Sequence, residues 1–195
     1  MGYQVIIDTS NKYLAVGIAD DNKVLSKTQY YAWQRQSELC IQEIENQMQS
    51  LKIDAKDIVR VIVARGPGSY TGVRIALTIA KTMAFALNIP VCAFSSMAAI
   101  AGAEGSKIVL IDARSHRAYL GIYQNGKEVV ADSIINLDNI DSIYKQYPNY
   151  TLVGDVDLLG QEKQEIDIIE NMFDLGHIYE NVENTFALVP QYLKD

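Results

Sequence analysis

The sequence predicts an α/β protein of two related lobes, each a mixed β-sheet flanked by helices. An apolar hairpin pattern opens the chain, and alternating strand and helix periods follow it. The same order of elements begins again after the polar, glycine-rich stretch "GAEGSK" at 102–107. At 195 residues the chain suits one medium domain or two small lobes sharing a core. The expected division is 1–103 for the first lobe and 104–195 for a smaller second lobe whose tail packs back.

"YQVIIDTS" reads as a strand ending in Asp8-Thr9-Ser10, and "YLAVGIAD" follows a tight turn at Asn11-Lys12. A third strand over about 24–33 completes an antiparallel meander. The period then changes. Ile41, Ile44, Met48 and Leu51 fall three or four residues apart, so the spacing predicts a helix over 37–51 with Ser37 as its cap. "DIVRVIVA" returns to a buried strand, 71–87 is a second helix and "IPVCAFS" a short strand. Such a run calls for parallel pairing through right-handed crossovers. In the second half a strand ends in Asp112-Ala113-Arg114, another covers 117–123, and Asn125-Gly126 is the strongest turn signal in the chain. Residues 137–147 read as helix, "YTLVGD" as strand and turn, and 161–175 weakly as helix. Phe186, Leu188, Tyr192 and Leu193 predict a tail returned to the body, since leaving them in water is costly.

"RGPGSYTGVRIALTIAK" at 65–81 is the most informative stretch. Gly66, Gly68 and Gly72 permit positive φ or close backbone approach, Pro67 fixes one dihedral, and Ser69 sits among them. The spacing is neither that of a Walker loop nor that of a dinucleotide fingerprint. A phosphate cradle at the helix start and a purely structural turn both remain open. Around the helix, Val73, Ala76, Leu77, Ala80 and Ala84 centre an apolar arc about 200° wide, more than one sheet face requires. Arg74, Thr78, Lys81, Thr82 and Phe85 fill the rest. An aromatic among charged and hydroxyl neighbours suits a partner surface; the alternative is that Phe85 covers a loop of its own chain, such as the tail.

Charge is unevenly spread: residues 1–103 carry ten Lys/Arg against eight Asp/Glu, and residues 104–195 seven against sixteen. An acidic second half disfavours direct nucleic-acid binding. No uninterrupted apolar run reaches bilayer length and no signal-peptide pattern opens the chain, so a cytoplasmic protein without membrane contact is expected. Cys40 and Cys92 fit buried free thiols of a reducing compartment. His116 and His177 share no ligand spacing with each other or with the cysteines, so no metal site is expected. Ser69 is the best nucleophile candidate, but its base would have to be His116 from the other lobe. Asp8, Thr9 and Ser10, with Asp112 and Arg114 in the second lobe, form a candidate nucleotide cleft if the lobes face each other; a structural salt bridge explains Asp112 and Arg114 equally well.

Together "IDTS" at 7–10, "QSE" at 36–38, the 65–81 stretch, "IPV" at 89–91, "DAR" at 112–114 and "PQYL" at 190–193 resemble the TsaB (YeaZ) family almost end to end. The resemblance implies an actin/hexokinase-like two-lobe fold and a non-catalytic, glycoprotease-like subunit of the bacterial machinery that installs threonylcarbamoyl on adenosine 37 of ANN-decoding tRNAs. It implies pairing with a TsaD-like catalytic paralogue, a TsaE-like ATPase joining the assembly, self-association in isolation, and tRNA contact only through the complex. The catalytic paralogue's H-x-x-x-H motif has no counterpart in "SELCIQEIENQ". Carried over by position, the pairing surface comprises Ser37, Ile41 and Ile44 on the first helix and Thr71, Arg74, Thr78, Lys81 and Phe85 on the second. No intrinsic cofactor is implied, with ATP or ADP entering only at the level of the complex. Gln36 stands where the family usually has His, and Gln42 where it usually has Pro. The chain is also shorter than usual for the family, which implies a trimmed second lobe.

Two other readings compete. An independent actin-like kinase or hydrolase would turn over nucleotide through Asp8. A metallopeptidase would need a bound metal.

Overall fold

A computed structural model describes residues 2–193. β1 (Tyr3–Asp8), β2 (Tyr13–Ala19) and β3 (Val24–Tyr31) form the antiparallel meander. α1 (Gln36–Leu51) leads to β4 (Ile58–Ala64), and α2 (Tyr70–Leu87) to β5 (Val91–Phe94). Both strands run parallel to β1, giving the order β3-β2-β1-β4-β5. α3 (Ser96–Ala101) carries the chain to a second sheet of β6 (Ser106–Arg114), β7 (Arg117–Gln124), β8 (Lys127–Asn136) and β9 (Thr151–Gly154), with α4 (Ile140–Gln146) between the last two. Its order is β8-β7-β6-β9, the same as the first four strands of the first sheet. The repeated topology and the mixed pairing agree with the actin/hexokinase-like two-lobe fold that the family resemblance implies, with a second sheet one strand shorter.

Strand alternation sorts the core into layers. Val5, Ile7, Val16, Ile18, Val61 and Val63 face α1 and α2. Their neighbours Ile6, Ala15, Ile62 and Ala64 face a middle layer, to which the second sheet contributes Val109 and Ile111. Ile108, Leu110, Leu120 and Ile122 point to the far side, where Leu137 and Ile140 cover them.

The middle layer holds α3 and α5 (Ile168–Gly176), and α5 lies against the first sheet. Gly17 makes that seat, for a Cβ there would stand 2.4 Å from Ile169 Cγ2. The helix expected over 161–175 therefore begins later, at Ile168, where the Asp167 side chain accepts the Glu170 N–H. Ser37 is also corrected as a cap. The N-cap position falls on Arg35, which makes no side-chain cap bond, because a turn over 32–35 feeds directly into the helix.

Beyond α5 the chain returns to the first lobe. Val182 N–H donates to Val91 O (2.8 Å), Leu188 is 7% exposed in the core beside α2, and Gln191 N–H donates to Arg65 O (2.7 Å). The last ten described residues, 184–193, form a strap along α2. Phe186 and Tyr192 remain 72% and 46% exposed on it, although their apolar character predicted burial.

Candidate functional site

α1 and α2 pack side by side on the outer face of the first sheet. Each commits one stripe to the core: Cys40, Ile44 and Gln47 from α1, and Val73, Ala76, Leu77 and Ala80 from α2. Burial pushes the Cys40 thiol up to about 12, which leaves an inert neutral group. The second stripes of the two helices diverge and leave a groove between them. Two adjoining hollows of about 530 and 420 Å³ share Ile41, Thr78 and Ile79. Met48, Ile53 and Met83 line the larger, and Ser37, Tyr70, Thr71, Arg74 and Ile75 the smaller. Ile41 stands 60% exposed at their junction. Covering such a side chain is worth roughly 1 to 2 kcal/mol, so the groove favours an apolar occupant.

The eight residues carried over to this surface divide. Ser37, Ile41, Thr71, Arg74 and Thr78 line the groove. Ile44 is a correction: it lines the groove floor but is only 5% exposed and belongs to the core. Lys81 is held by its own chain: its ammonium donates to the Phe186 and Leu188 carbonyls, each at 2.9 Å, and so binds the strap. Phe85 lies on that same flank, edge-on to Phe186 with ring centroids 5.8 Å apart, while staying 74% exposed. The strap thus covers part of the polar arc, the alternative that the helix pattern left open. Arg74 bonds the Tyr70 hydroxyl at 2.6 Å, and Tyr70 stacks on Tyr192 of the strap at 5.1 Å.

Three donors of the glycine turn are spent within the chain. Ser69 N–H donates to Ser10 O (2.7 Å), Gly66 N–H to Ser96 Oγ (3.0 Å) and Gly72 N–H to Ser69 Oγ (3.2 Å). Ser69 is thereby the cap of α2, not a nucleophile. Gly68 and Gly72 let the turn press on the end of β1: added Cβ atoms would stand 2.2 Å from Ser10 O and 1.9 Å from Thr9 O. The Gly66-Pro67 bond is cis. Thr9 Oγ1 closes the contact by donating to Gly72 O at 2.7 Å.

The candidate nucleotide cleft is accordingly not open at its first-lobe end. Asp8, Thr9 and Ser10 are buried at 3%, 0% and 3% exposure. Burial raises the Asp8 carboxyl above its ordinary range, opposed by hydrogen bonds from Ser10. The matching end is open and built differently. Asp112 is exposed, accepts the Arg114 backbone N–H (2.7 Å) and donates its own N–H to Asp155 (2.9 Å). The Asp112–Arg114 contact is thus carboxylate to backbone, not a salt bridge. Arg114, Ser115 and His116 all take positive φ (65°, 54° and 60°) at this turn. His116 contacts Asp138 at 2.9 Å and His177 stacks edge-on against Phe173. Among the described residues no group of three or more His, Cys, Asp and Glu could hold a metal ion, and no helix is long and apolar enough to cross a membrane.

Sequence reasoning missed a buried carboxylate. Asp132 on β8 is 9% exposed and accepts hydrogen bonds from Tyr123 Oη (2.6 Å), Gln191 Nε2 (3.1 Å) and Ser95 Oγ. The one available signal was an acidic residue amid the apolar positions of "EVVADSII", too weak to separate from an exposed strand face.

A family model described as TsaD, tRNA N6-adenosine threonylcarbamoyltransferase, matches residues 30–157. The tRNA threonylcarbamoyladenosine biosynthesis protein TsaB of Bacillus subtilis is 34% identical over 139 residues, covering 67% of this chain. The chain belongs to the TsaB (YeaZ) family. The match spans 61% of the length of the B. subtilis TsaB. The TsaB of Buchnera aphidicola (Schizaphis graminum) is 26% identical over 161 residues, 76% of each chain. The solved structure of YeaZ from Pseudomonas aeruginosa superposes with a TM-score of 0.78 at 19% identity, covering 99% of this chain and all of that one. The likeness of fold therefore extends over nearly the whole chain.

Proposed function

We propose that this chain is the non-catalytic docking subunit of a tRNA threonylcarbamoyladenosine complex. It pairs through the α1/α2 groove with a TsaD-like catalytic paralogue and supports that partner's transfer of threonylcarbamoyl to adenosine 37 of ANN-decoding tRNAs. The observation that carries this reading is the groove, an apolar channel with Ile41 standing in water at its centre. The biosynthetic role in the names of its relatives supports it, as does the burial of the first-lobe carboxylate, which leaves Asp8 no approach to a substrate. In this reading a TsaE-like ATPase joins the assembly, ATP or ADP binds at the level of the complex, tRNA meets the chain only through its partner, and the same groove self-pairs when the partner is absent. The setting is cytoplasmic.

The test is Ile41→Asp. The side chain is exposed, so the variant folds with an unchanged circular dichroism spectrum and urea midpoint. Its co-purification with the TsaD-like subunit falls by about ten-fold or more, since a charge is placed on an apolar contact. Undiminished co-purification would reject the groove as the docking surface.

A further inference from the structure

The Asp132 carboxylate stands where three parts of the chain meet, and each sends it a donor. Tyr123 belongs to the second sheet, Ser95 is the cap of α3 at the end of the first, and Gln191 belongs to the strap. The site is shaped for the carboxylate. A Cβ on Gly121 would stand 2.4 Å from Asp132 Oδ1 and 2.8 Å from the Tyr123 ring, so the strand leaves out a side chain there. The strap fits as closely on its other side. Gln191 donates its backbone N–H to Arg65 O, and a Cβ on Gly66 would stand 2.8 Å from Gln191 O. From this point the strap runs back over α2, with Tyr192 on Tyr70 and two carbonyls on Lys81.

We infer that Asp132 is an interlobe latch: the second lobe holds the C-terminal strap against α2 through the Asp132–Gln191 hydrogen bond. Ser95 and Tyr123 fix the carboxylate in a position that depends on both sheets, so the strap is seated only when the lobes are correctly placed against each other. Charge-assisted hydrogen bonds in a largely buried site are strong enough for one of them to decide the docking of a short segment. The strap lacks a regular ladder of its own and draws its order from such anchors. Release of the latch frees Tyr192 from Tyr70, which lines the smaller hollow, so lobe arrangement sets the groove's rim; that last consequence alone rests on the docking function proposed above.

The test is amide hydrogen exchange of the isolated full-length chain, comparing wild type with Asp132→Asn and Gln191→Leu. The reporting amides are Ala187, Leu188 and Gln191, all hydrogen-bonded in the seated strap. Both variants are expected to raise exchange in this segment by about ten-fold, the loss of one hydrogen bond to a charged acceptor, with β1 and β4 unchanged. Gln191→Leu leaves both hydroxyl donors on the carboxylate, so it isolates the strap even where Asp132→Asn loosens the whole chain. Strap exchange within about two-fold of wild type in Gln191→Leu overturns the latch. Because no partner protein is present, this result is independent of whether the groove docks a TsaD-like subunit.

Discussion

Replacing Gly72 by Ala sets two physical effects of opposite sign against each other. Gly72 occupies the first turn of α2, where alanine is the better helix former by about 1 kcal/mol. The added Cβ, however, would lie 1.9 Å from Thr9 O, and must retreat by about 1.1 Å to reach the shortest separation that real Cβ atoms show. Neither side yields easily, since Thr9 directly follows the central strand β1 at 0% exposure and Gly72 is itself buried at the helix start. Moving them apart strains the Thr9 Oγ1 to Gly72 O bond and the Ser69 cap. Overpacking costs about 1 to 3 kcal/mol, and a weakened buried hydrogen bond about 1 to 2 more. After the helix-forming gain is subtracted, the variant should be destabilised by about 1 to 4 kcal/mol. Urea unfolding followed by circular dichroism measures this directly, with an unchanged slope showing that the two-state transition is intact. A variant as stable as wild type, or more so, would refute the account of the glycine turn as a backbone-to-backbone seal.

Two further predictions concern residues that the structure reassigned. Ile44→Ala should cost about 2 to 4 kcal/mol of stability in the same urea assay, because a core side chain is removed from a site that is 5% exposed; a loss below about 0.5 kcal/mol would mark it as surface after all. Asp8 gives a pH signature. Its folded pKa is raised by burial above 3.8, so the folded state holds the proton more tightly than the unfolded chain and stability falls as pH rises through that window. Asp8→Asn lacks this titration. Its stability relative to wild type should therefore increase as pH rises from the ordinary carboxylate range towards neutrality, and a difference that is flat or of opposite slope would contradict a carboxyl whose burial outweighs its Ser10 hydrogen bonds.

The first lobe was legible because its signals are local. Alternation in "YQVIID" and "YLAVGIA", the three-to-four spacing in α1 and the turn residues each act within a few positions. Asn125-Gly126 is likewise self-contained, and both residues do adopt positive φ, 49° and 74°. The start of α1 misled because Ser37 has capping chemistry, whereas the turn before it places the boundary earlier. The bonds of Lys81 were illegible for a different reason. Nothing in its helix period distinguishes a lysine that faces a partner from one that binds carbonyls more than a hundred positions away in sequence. The same holds for Asp8. The sequence puts a carboxylate at a strand end, but only the approach of Gly68 and Gly72 shows that the end is covered. The glycines themselves were visible; what they made room for was not.

The first sheet takes one of its two coverings from residues far along the chain. α5 lies on its inner face and the strap on the flank of α2, both some seventy or more positions after β5 ends. During synthesis the early strands must therefore wait with Ile6 and Ile62 incompletely shielded until α5 has left the ribosome. Ribosome-arrested chains ending before residue 168 should be cleaved readily by added protease, and those extended well past the strap should resist. The inner face of the first sheet is thus closed in one step when α5 docks, not by gradual accretion along the chain.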